Sequence, residues 1–240
     1  MKKIKIEFKT LEVPAPYAHD YVLTLQIDKK IDAQYEITYK GREDLSEAEI
    51  LEEGYTTDDD FSWKGEIDNS WKKSILAMAD IIKTKKSVTP NEFSQTEISI
   101  TVTSDGKTAS AVYYDEESLS YQIQEIVQAL FETSKRELPL NINFLLKEGS
   151  KKVQFSLKLS FANKSCSIFK NNTLTKNISW DEGSSLMSLI YQPDYLLDTT
   201  KIKKDDLYIS FEENAWYSVD EIEENERLSG FKSELMKYLN

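Results

Sequence analysis

Three features of this sequence have residue types that could do chemistry: one histidine, one cysteine and one run of carboxylates. His19 is the single histidine, in Val13-Pro14-Ala15-Pro16-Tyr17-Ala18-His19-Asp20-Tyr21. A catalytic base needs a nucleophile or substrate within reach and an orienting partner. Asp20 is adjacent, but neighbours on a strand point to opposite faces. His19 therefore reads as a surface residue where a strand begins. Cys166 is the single cysteine, so an intramolecular disulfide and a multi-cysteine zinc site are both excluded. It lies on the apolar side of an alternating stretch, where cysteine behaves as a small hydrophobe. As a nucleophile it would need a depressed pKa, and only His19 could supply an imidazole.

The carboxylate run is Asp58-Asp59-Asp60, between Tyr55 and the pair Phe61 and Trp63. An EF-hand loop spaces its ligands at alternate positions, with a central glycine and a terminal glutamate. That spacing is absent, and no metal site is expected. Paired carboxylates beside Trp63 and Trp71 would also suit glycoside hydrolysis or sugar binding. The chain lacks Gly-x-Gly-x-x-Gly, a Walker A sequence and Gly-x-Ser-x-Gly. No cofactor and no catalytic residue is expected.

Charge is unevenly spread over the 240 residues, whose net charge is −12. Between Glu43 and Asp68 stand eleven acids and one lysine, and between Glu212 and Glu226 seven acids and no base. Between Lys147 and Lys176 there are seven lysines and one glutamate. Acidic surfaces steer basic partners and repel nucleic acid. The lysine-bearing segment has no arginine, which weakens phosphate clamping. Tyr55, Asp58, Asp59, Asp60, Phe61 and Trp63 are thus read as an interaction surface for a basic protein partner. A toxin-neutralising or regulatory role fits that physics. A carboxylate-based hydrolase or carbohydrate-binding domain using Asp58 to Trp71 is the alternative.

The elements around these residues follow from periodicity. Alternation predicts strands at 3–8, 21–27, 33–39, 98–102, 109–113, 140–146, 153–161, 166–168, 174–179 and 207–211. Ser104-Asp105-Gly106-Lys107 predicts a type I′ hairpin turn. Helical spacing predicts helices over 70–83 and 116–133, a short one near 183–191, and a C-terminal one that Gly230 splits or kinks. Ser46 with Glu49, and Ser218 with Glu221, predict capping boxes. Short connections imply an α+β fold, with mostly antiparallel sheet built from hairpins and helices on one face.

The polar stretch 84–96 is expected to separate an N-terminal α+β unit, 1–86, from a C-terminal one, 97–240, the alternative being one continuous domain. Hairpin-then-helix blocks begin near 21, 97 and 153, but their intervals differ by about twenty residues and their motif residues do not superimpose, so a diverged duplication is the lesser alternative. No apolar h-region follows Lys2 and Lys3, and no run of 18 apolar residues occurs. A soluble cytoplasmic protein that spans no membrane is expected, with Asn163, Asn171 and Asn177 in glycosylation triplets only by coincidence.

Overall fold

In the computed structural model the chain divides into two compact units, Met1–Arg136 and Glu137–Asn240. The structure describes residues 1–87, 89–193, 195, 202, 204–211 and 215–239. The first unit holds β1 (Lys2–Thr10), β2 (His19–Ile27), β3 (Ile31–Tyr39), α1 (Glu47–Glu52), β4 (Phe61–Ile67), α2 (Lys72–Ala79), α3 (Ile81–Thr84), β5 (Thr96–Ser104), β6 (Lys107–Tyr114) and α4 (Glu117–Thr133). The second holds β7 (Leu140–Glu148), β8 (Lys151–Ser160), β9 (Ser165–Lys170), β10 (Thr173–Ile178), α5 (Trp180–Ile190), β11 (Asp206–Ser210), β12 (Tyr217–Ser218), α6 (Val219–Asn225) and α7 (Phe231–Leu239).

The expected α+β class is what the structure shows, as two six-stranded antiparallel sheets. Their strand orders are β4-β3-β2-β1-β5-β6 and β10-β9-β8-β7-β11-β12. Counted within its own unit, each order is 4-3-2-1-5-6. A four-stranded meander passes through helix, and the fifth strand then pairs with the first. The hairpin-then-helix blocks beginning near 21, 97 and 153 are out of phase with this pattern, because the middle one splits a sheet. The shared pattern starts at β1 and at β7.

The same pairing moves the expected boundary. Residues 84–96 do not separate units: the chain runs there from α3 into β5, which pairs with β1 along Lys2↔Ser104 to Thr10↔Thr96. Leu11 N also donates to Gln95 O at 2.8 Å. Separating 1–86 from 97–240 would open this central ladder.

Alternation dictates which face each strand buries. In the first unit Ile4, Ile6, Leu23, Leu25, Ile31, Ala33, Tyr35, Ile98 and Ile100 are buried with Trp71, Ile75 and Met78 of the helical segment. Leu119, Ile123, Ile126 and Leu130 supply the buried face of α4. Lys3, Gln26, Asp32, Gln34 and Glu36 stand exposed on the opposite strand face. At the β5–β6 turn, Asp105 and Gly106 have φ of 51° and 75°, the positive pair that a type I′ turn needs.

In the second unit Ile142, Phe144, Phe155, Leu157, Cys166 and Ile168 pack with Leu186, Ile190, Phe231 and Leu235. The expected box at Ser218 is only half formed. Its hydroxyl accepts from Glu221 N but donates to Asp206 Oδ2 at 2.5 Å. Asp206 is 2% exposed, so its carboxylate needs partners. Leu207 N and Lys232 Nζ supply them at 2.6 and 2.7 Å, and Lys232 also reaches Asp220 at 2.8 Å. The network ties β11 to β12, α6 and α7. Positive φ at Arg227 and Gly230 divides those two helices.

Candidate functional site

The acidic segment of the first unit is organised around Arg42. Its guanidinium lies over the rings of Tyr39 and Tyr55, at 3.7 and 4.7 Å. Nε donates to Pro16 O at 3.0 Å, and Nη1 to Thr56 O and Asp59 Oδ2, both at 2.7 Å. Arginine suits this position because its planar fork can stack and donate at once. The side chain is 10% exposed, and Nη2 is buried without a hydrogen-bond partner. One residue thus fastens the loop before β2, the end of β3 and the loop before β4. Tyr17 stands edge-on to Tyr55 at 5.6 Å and hydrogen-bonds Glu53.

The three consecutive aspartates have three different environments. Asp58 is exposed. Asp59 accepts from Arg42, from Thr56 N at 2.8 Å and from Thr56 Oγ1 at 2.7 Å. Partial burial works to raise its pKa. The Thr56 bonds and the Arg42 charge outweigh it, so the carboxyl sits below its ordinary range. Asp60 accepts from Tyr39 N at 2.8 Å. The structure therefore brings Tyr55, Asp58, Asp59 and Asp60 into one loop but gives two of the three carboxylates backbone-fastening work.

Phe61 and Trp63 begin a strand that the periodicity reading passed over. Phe61, Trp63, Gly65 and Ile67 alternate along β4, which lies at the edge of the sheet. Phe61 packs against Tyr35 and Phe131, under the Arg136 guanidinium at 4.6 Å. A Cβ on Gly65 would lie 2.3 Å from the Trp63 ring, so the indole covers the glycine. Both aromatics are half-buried on the core side of β4 and do not stand among the acids. Trp71 is fully buried. Trp71 therefore offers no platform of the kind a sugar stacks on.

Outside the triplet, acids line a short helical shelf. Glu43, Asp44, Glu47, Glu49, Glu52 and Glu53 are all exposed. The expected Ser46–Glu49 capping box is complete, and Ile50 anchors α1 in the core. Its hydrogen bonds hold the Glu49 carboxyl below its ordinary range.

The other reactive residues are committed locally. His19 Nδ1 lies 2.8 Å from Tyr17 O, and its ring stacks on Phe8. Cys166 is 2% exposed. Burial, with a smaller contribution from the Glu182 carboxylate, pushes its thiol up to about 11. Among the described residues, no three His, Cys, Asp or Glu side chains group so as to hold a metal ion. Among them too, no helix is long and apolar enough to cross a membrane.

No family model matches the chain, and no curated protein is similar to it.

Proposed function

We propose that this protein is a non-catalytic interaction module that presents the acidic shelf of its first unit to a basic protein partner. One observation carries the reading. The exposed acids of α1 and its flanks sit on a frame whose loops converge on the buried Arg42 side chain. A fixed acidic surface keeps its field in one place, and such a field speeds encounter with a basic surface. The asymmetry within the triplet refines the expectation. Asp59 and Asp60 hold the frame, while Asp58 and the glutamates of α1 face solvent. Tyr55 belongs to the frame as well, stacked on Arg42. A role in neutralising or regulating a basic protein follows from the same chemistry.

The test is affinity capture of a partner from the native cell, followed by association rates against ionic strength. Replacing Glu47, Glu52 and Asp58 with their amides should slow association several-fold at low salt. The difference should fade as the screening length falls to about 10 Å near 0.1 M salt. Equal rates at low salt would remove the proposal.

A further inference from the structure

At one end of the first unit lies a cleft of about 920 Å³, lined by Phe93, Gln95, Thr96, Asp115, Glu117 and Tyr121 among others. Two features set it apart from ordinary surface. First, two of its three aromatics are turned outward, Phe93 at 79% and Tyr121 at 52% exposed, while Phe8 is buried. Second, the backbone that carries Phe93 is fixed by hydrogen bonds. Phe93 N donates to Asn91 Oδ1 at 2.8 Å, and Asn91 N donates to Ser94 Oγ at 3.2 Å. Ser94 N returns to Asn91 O at 3.2 Å, and the Ser94 side chain is buried beneath the turn. Gln95 N and Thr96 N both donate to Asp115 Oδ1 at 2.9 Å, fastening the turn to the end of β6. A turn with this many bonds carries its phenyl ring at little further backbone entropic cost.

The lining also selects its occupant. It contains the carboxylates Asp115 and Glu117, several amides and hydroxyls, and no lysine or arginine. Glu92 is exposed on the same turn as Phe93. Anionic ligands are disfavoured there by like charge. A basic side chain gains from the carboxylates and from the ring faces together. The amides of Gln95, Gln122 and Gln124 suit the backbone of an extended segment. We infer that this cleft receives an arginine- or lysine-bearing extended segment of the partner, with Phe93 and Tyr121 as its anchors. The assignment rests on reading the protein as a binder of basic protein, and it adds aromatic anchors to the exposed Leu51 of the acidic shelf.

Backbone amide NMR on the full chain tests it. The probes are a short unstructured peptide of alternating arginine and serine, the same peptide with glutamate for arginine, and a neutral malto-oligosaccharide. The basic peptide should shift the amides of Gln95, Thr96, Ser118, Tyr121 and Gln122, and the other two probes should not. The double variant Phe93→Ala, Tyr121→Ala should bind it about tenfold more weakly. Because both rings are exposed, the rest of its spectrum should stay in place. Shifts confined to 43–60 would overturn the cleft assignment while leaving the acidic shelf standing. Shifts at the cleft with the saccharide alone would overturn it in favour of a sugar site. No response to the basic peptide anywhere would overturn both readings.

Discussion

Asp58, Asp59 and Asp60 are chemically identical neighbours with different work, and sequence spacing has no term for that difference. What separates them is the distant arginine that Asp59 meets across 17 positions. Cys166 was more legible, because alternation along its strand already placed it inward. What alternation did not show is the helix pressed against it. Gly183 of α5 sits so close that an added Cβ would lie 2.9 Å from Cys166 Sγ and 3.0 Å from its Cβ. Gly183→Ala should therefore destabilise the second unit by about 1–3 kcal/mol through overpacking. Replacing Cys166 with alanine as well should recover only part of the loss, since it removes the Sγ contact and keeps the Cβ at 3.0 Å. Urea unfolding of the two single variants and the double variant reads the coupling directly. Additive losses would mean that the cost of Gly183→Ala does not come from its contact with the Cys166 sulfur.

At the scale of elements, the hairpins were the clearest part of the sequence because period-two burial and turn chemistry agree there. The β5–β6 turn needs positive φ at two residues, and Asp105-Gly106 supplies it. The edge strand β4 was hidden by its own composition. Phe61-Ser62-Trp63-Lys64-Gly65 alternates, but the acids before it and the glycine within it read as a loop. That glycine is explained by the indole lying over it. The loop before β4 carries a pH dependence with a definite sign. The folded pKa of Asp59 is depressed, so its contribution to stability is full above the unfolded value of about 4. It is lost as pH falls through the lower, folded value. Asp59→Asn should thus cost about 1 kcal/mol near neutrality. The gap from wild type should narrow as pH falls through the depressed, folded value. Denaturant midpoints of both proteins across that range measure it, and a gap that widens in acid would contradict the ion-pair account.

At the scale of the whole molecule, composition and strand count made the α+β class readable, but the division into units was not. Local polarity favoured a break in 84–96, whereas the ladder that decides the matter joins residues almost a hundred positions apart. In that ladder Ile4, Ile6 and Phe8 face Val102, Ile100 and Ile98. A fragment ending at residue 86 would leave β1 as a bare hydrophobic edge and lose the buried face of α4 as well. Such edges template aggregation. A fragment of residues 1–136 keeps all six strands and every helix of the first unit, and a fragment of 137–240 keeps its own six. Each is large enough to bury a core of its own. Both should be monodisperse on size exclusion and unfold cooperatively in urea, while 1–86 should aggregate or unfold without a transition. Cooperative unfolding of 1–86 would restore the earlier boundary. Failure of 1–136 alone would mean that its sheet depends on the rest of the chain, and the acidic shelf would then have to be studied only in the intact protein.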